Sequence, residues 1–225
     1  MGIDHVQRGI VGTGLGFVVL FVAGGLLLGE FFGGFADPDA FFVAYYATDA
    51  HHLRDLVGAH LFVASALALL LFLRLLTRSL RTLGGSDAGL DLAQASGAVA
   101  VTLLLAGAAA VMTVTMAQAF GRLTGDEPLT SPAVALAPQL GYVLVFFPAM
   151  WAMAVAIGLF VWSSWSARIW PRGLRWLSII AALLLPVSWM LFMPIVLLPA
   201  WVLGVTVWAW RSTPSDREHA ASSRK

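Results

Sequence analysis

Long runs of residues with almost no charge constrain this chain more than any other feature. Ile10–Phe32 carries one charged residue, Glu30, near its end. Leu56–Leu76 holds His60 and, at its far end, Arg74. Gly97–Phe120 and Ala133–Trp162 contain no charged residue, and Leu174–Trp210 is interrupted only by Arg175. An apolar helix of about 20 residues, rising about 1.5 Å per residue, crosses a hydrocarbon core about 30 Å thick, and each of these runs is long enough. The composition agrees: 60% of the 225 residues are hydrophobic and 11% charged, and mean hydropathy is +0.86. A soluble domain is about 25% charged, so this chain lacks the polar surface to cover a water-soluble globule. That excludes a soluble enzyme. A net charge of +1 gives no basic face for nucleic acid, and the absence of cysteine excludes disulfide frameworks and thiolate metal sites.

Five runs imply six spans. As one helix, Leu174–Trp210 would be about 55 Å long, well beyond the core even when tilted. Pro186, Pro194 and Pro199 each remove a backbone donor and disfavour helix in the preceding residue, so a break is expected near Pro186–Pro199. The alternative is one kinked span followed by a re-entrant or interfacial piece. The first run exceeds the about 7–15 apolar residues of a secretory signal and is read as a mature helix.

Six spans put both termini on one side, and the basic residues then sort sharply. Arg8, Arg74, Arg78, Arg81, Arg168, Arg172, Arg175, Arg211, Arg217, Arg224 and Lys225 lie on the terminal side, with Arg54 and Arg122 opposite. Basic residues near helix ends are retained in the cytoplasm, which places both termini there. Trp162, Trp165, Trp170, Trp176, Trp208 and Trp210 flank the inner segments as an interfacial aromatic belt. Residues 1–211 form the transmembrane domain, and the short polar tail 212–225 is expected to be disordered.

The densest polar stretch, Asp49 to Asp55, contains His51 and His52 at the outer start of the second span. On a helix, His51 and Asp55 are i,i+4 neighbours with His52 about 100° away, the start of a site for zinc or a similar ion if Asp126 or Glu127 completes it. The competing readings are a solvated helix start with acids favoured by the dipole, and a pH-sensing histidine pair. A second set appears once orientation is fixed. Glu30, His60, Gln118, Gln139 and Tyr142 all fall within about two turns of the outer interface. Polar side chains at membrane depth turn inward toward one another or water, which yields an outward-open polar vestibule; snorkelling to headgroups is the alternative.

Other features carry less. Met112/Met116, Met150/Met153 and Met190/Met193 are at helical spacing, but gap-filling explains them better than Cu(I) passage. One histidine near membrane depth cannot supply both axial ligands of a haem, so no cofactor is expected. The glycines of Gly9–Gly16 do not match a nucleotide-binding loop and enter a span. Gly12/Gly16, Gly25/Gly29/Gly33 and Ala106/Ala110 instead form small-residue faces for helix packing within the chain or in a homo-oligomer. No catalytic triad, paired acid/base set or HExxH lies within the spans.

Ala36-Asp37-Pro38-Asp39-Ala40, the aromatic run Phe41–Ala47, the Leu-Arg end of the second span (Phe72–Leu76) and Trp170–Leu177 follow one another along the chain. That order of features resembles the small six-span bacterial membrane proteins grouped as a domain of unknown function, and the likeness covers most of residues 9–211. The resemblance implies a fold and a location and assigns no functional residue.

The expected protein is an all-α, six-span bundle of a bacterial inner membrane. Its expected role is a non-enzymatic accessory or interaction component partnered by the bilayer and by helix faces. The alternative is a small transporter or a ligand or pH sensor using the vestibule. A membrane enzyme, with Glu30 and His60 as its one intramembrane pair, comes third.

Overall fold

The computed structural model describes residues 3–28, 49–124, 133–165, 167–191 and 193–212, and every regular element among them is helical. α1 is Ile3–Leu28, α2 Asp49–Thr82 and α3 Asp87–Thr124. α4 (Ala133–Leu144) and α5 (Met150–Trp165) are joined without a break by a π turn, Val145–Ala149. α6 (Arg172–Leu184) leads through a 3₁₀ turn, Leu185–Val187, to the single turn α7 (Ser188–Leu191), a second 3₁₀ turn (Met193–Val196) and α8 (Leu197–Arg211).

Four helices are long and apolar enough to cross a membrane: α1, α2, α3 and the α4–α5 rod. The 13 residues of α6 and the 15 of α8 span only about 20 Å and 22 Å, short of a core about 30 Å thick. The long last run is divided where its prolines predict. Pro186 and Pro194 sit in the two 3₁₀ turns, while Pro199 lies in the first turn of α8, where a missing N–H costs nothing.

The helices form a closed ring. α1 packs on α2, α2 on α3, α3 on α4 and α5, α5 on α6, α6 on α8, and α8 returns to α1. Gln7 near the start of α1 donates to the carbonyl of Ser212 just past α8 at 3.2 Å, so the two ends of the described chain meet at one end of the ring, the terminal end. The turn from α2 to α3 also lies there. Its Gly84, at φ +90°, occupies the left-handed position of a Schellman cap, with Gly85 N–H bonding Leu80 O at 2.9 Å and Gly84 N–H bonding Arg81 O at 3.2 Å. Arg81 bridges Asp87 at 2.8 Å and Asp91 across this turn.

The terminal half is filled with large side chains. Trp201 of α8, fully buried, meets Phe72 of α2 edge-on at 6.0 Å and stacks on Phe160 of α5 at 6.3 Å, which joins opposite sides of the ring. Its indole N–H donates to Ser178 of α6 at 3.0 Å, and that hydroxyl donates in turn to Leu174 O at 2.8 Å. The tryptophans expected as an interfacial belt differ in exposure. Trp162, Trp165, Trp176 and Trp210 are exposed, but Trp170 is buried under the bundle against Trp208 at 6.4 Å. The tight turn at Arg168 (φ 49°) and the bond from Ile169 N–H to Ser164 O fold the segment back, and Arg175 holds Trp170 O at 3.1 Å.

Pro148 explains the π turn. Proline has no N–H and its ring collides with the carbonyl four residues back, and a widened turn relieves both. The widened turn leaves backbone carbonyls in need of donors, and the buried Ser188 hydroxyl donates to Phe146 O at 3.0 Å. The π turn of the α4–α5 rod is thereby tied to the break after α6. Ser188→Ala is expected to lower unfolding stability in detergent by about 1 kcal/mol, the usual worth of one such bond. Unchanged thermal unfolding would show that the tie contributes nothing.

Candidate functional site

At the end of the ring away from the termini the packing opens into a cavity of about 210 Å³. α1 supplies Phe21 and Gly25 to its wall, α2 supplies Ala59 and Phe62, and α3 supplies Gly107, Ala108 and Val111. Gly141 and Tyr142 of α4, with Val145 and Phe146 of the π turn, form the facing wall, and Ile195 of the second 3₁₀ turn adds to the lining. The phenol of Tyr142 is the sole polar side chain among these residues.

Two close helix crossings frame the space. A Cβ built on Gly141 would stand 2.6 Å from Gly107 O, and one on Gly107 would stand 2.8 Å from Gly141 O, so α3 and α4 touch backbone to backbone. α1 and α2 meet similarly where a Cβ on Gly24 would lie 3.0 Å from Gly58 O. Each pair draws its two helices together where lipid gives no hydrophobic drive for packing. The aromatic rings then stand as pairs on separate walls: Phe21 with Phe62 at 5.3 Å, Tyr142 with Phe146 at 6.2 Å.

Of the residues expected to form a polar vestibule, Tyr142 alone among those described lines this cavity. His60 is exposed, and its Nδ1 lies 2.7 Å from Leu56 O on its own helix. Gln139, six residues before the π turn, is half-buried and does not line the cavity. Gln118 lies in α3 with its side chain outside the described residues, as does the whole of Glu30. Of the three whose side chains are described, Tyr142 therefore lines the cavity and His60 and Gln139 do not. In the His/Asp run, α2 begins at Asp49, so His51, His52 and Asp55 do share a helix, but the side chains of His51 and His52 are not among those described. Asp55 is 1% exposed. It sits one turn and two turns from Ala59 and Phe62 on the same helical face, above the cavity. Arg54 beside it donates to Leu26 O at 3.3 Å, close to the end of α1. Asp126 and Glu127 lie outside the described residues, and within those described no cluster of three metal-binding side chains occurs.

No family model, curated protein or solved structure matches the chain. The site must therefore be read from its own geometry. An unlike lining explains why the polar residues did not reveal it: the cavity is made by what glycine and alanine omit and by where Phe and Tyr stand. The close crossings use Gly24, Gly58, Gly107 and Gly141, whereas Gly12 and Gly16 of the expected small-residue face have nothing within 4 Å of an added Cβ, and Ala106 is exposed. The signal that could have found the site was a glycine on each of two facing spans, Gly24 with Gly58 and Gly107 with Gly141, with Phe21, Phe62 and Phe146 three to five residues from Gly24, Gly58 and Gly141.

Proposed function

We propose that the chain is a six-span integral protein of a bacterial inner membrane, both termini cytoplasmic, acting as a non-enzymatic accessory or interaction component. The observation that carries this reading is the segregation of charge along the ring. Arg8, Arg74, Arg78, Arg81, Arg168, Arg172, Arg175 and Arg211 all belong to the end that holds the termini, and Arg54 belongs to the other. Lys and Arg near span ends remain on the cytoplasmic side. α6 and α8 count as spans here because they close the ring between full-length neighbours, with α6 extended by the turns that follow it and the bilayer thinned around them. The likeness to small six-span bacterial membrane proteins supports the same topology. The accessory role is supported by the apolar character of the cavity, which offers shape rather than acid–base groups, and by the open face at Gly12 and Gly16, suited to a neighbouring helix.

Topology reporters test the reading. Fusions after Gly84, Arg168 and Arg211 are expected to be fluorescent with a cytoplasm-restricted reporter. Fusions after Asp37, Asp126 and Phe192 are expected to be active with a periplasmic phosphatase. A phosphatase-active fusion at Arg211 would falsify the six-span topology.

A further inference from the structure

We infer that the cavity between α1, α2, α3 and α4 is a binding site for a flat, uncharged, lipid-soluble ring. Size comes first. An engineered cavity of about 150 Å³ lined by Leu, Ile and Phe stays dry and binds benzene, and this one is larger, at about 210 Å³. Chemistry comes second. Phe21 and Phe62 on one wall and Tyr142 and Phe146 on another line the space from two sides, and aromatic rings attract one another beyond area burial. No cationic side chain lines the space, so nothing there would neutralise the carboxylate of a fatty acid, whereas the Tyr142 phenol can bond one carbonyl or hydroxyl on a ring.

Access comes third. Gly25 lines the cavity, is exposed, and has nothing within 4 Å of an added Cβ. At that point α1 presents only hydrogen to the wall, and a lipid-dissolved molecule passes in from the side. The surrounding bilayer concentrates apolar rings and delivers them to this opening. The site does not depend on which face of the membrane the cavity end occupies, so it stands or falls apart from the topology.

Photolabelling in lipid nanodiscs with a small phenyl diazirine tests the inference on the full chain. Label is expected on the buried cavity residues Phe62 and Val111 and on the half-buried Tyr142, and excess naphthalene should compete it away. Gly25→Leu is expected to lower that labelling about tenfold, the effect of filling a fitted site with an added side chain. Gly16→Leu, on the same helix and equally open but away from the cavity, should leave it unchanged. The inference is overturned if label stays on outward residues such as Val19, Leu26 and Leu140. It is also overturned if both leucine variants lose label alike, or if palmitic acid competes where naphthalene does not.

Discussion

Replacing Trp201 with alanine is expected to destabilise the bundle by about 3 kcal/mol, near the lower end for removing a buried Trp from a protein interior. The lower end applies because part of that range is transfer from water. In a bilayer the separated helices face lipid as apolar as the core, so that share shrinks and lost packing dominates. Trp201 is fully buried and touches Phe72 and Phe160, so its removal detaches α8 from α2 and α5 together. Ser178 also loses the indole donor, but its hydroxyl still bonds Leu174 O. Trp201→Phe separates the two contributions. It keeps a ring between Phe72 and Phe160 and removes only the N–H, so it is expected to cost about 1 kcal/mol. Thermal unfolding in mild detergent, with Trp201→Phe as reference, measures both. Equal losses in the two variants would mean that the hydrogen bond, not the packing, holds α8 in place.

Trp201 also marks how far the sequence carries the structure. Nearly charge-free runs of sufficient length announce helices, and among the described residues α1, α2, α3 and the α4–α5 rod are found where the runs beginning at Ile10, Leu56, Gly97 and Ala133 place them. Helices extend past the apolar runs, as α3 does from Asp87 to Thr124, because a polar helix end in the headgroup region keeps its own backbone bonds. The break in the last run is legible because Pro186 and Pro194 act locally through a missing donor. Interior-facing positions are less legible. A helix apolar all round gives no amphipathic stripe, so nothing in the residues around Trp201 tells which side faces protein and which faces lipid. The same uniformity conceals the cavity. Polar side chains stand out in such a sequence and draw the reading to His60, which turns out to face outward, bonded to its own helix. An apolar cavity depends on how four helices cross, a property of pairs that no single segment displays.

The Gly107–Gly141 crossing makes that dependence measurable. Gly141→Ala is expected to destabilise the protein by about 1–3 kcal/mol, the cost of overpacking, because the new methyl would meet backbone and not a flexible side chain. Its Cβ would stand 2.6 Å from Gly107 O and 3.2 Å from Val111 N, and only separation of α3 and α4 relieves both. Gly107→Ala demands the same separation, since its Cβ would stand 2.8 Å from Gly141 O. Once one methyl has moved the helices apart, the second finds the room already made. The double variant is therefore expected to lose less than the two single losses together, the non-additivity that shared backbone movement produces. Gly16→Ala, with open space around it, should leave stability within about 0.5 kcal/mol of the parent. Separation of α3 from α4 also moves Tyr142 and Phe146 away from Phe21 and Phe62, so labelling of the cavity by the phenyl diazirine should fall with the same substitutions. Additive losses, or a cavity labelled as before, would show that the two glycines act independently and that their crossing does not set the distance between the aromatic walls.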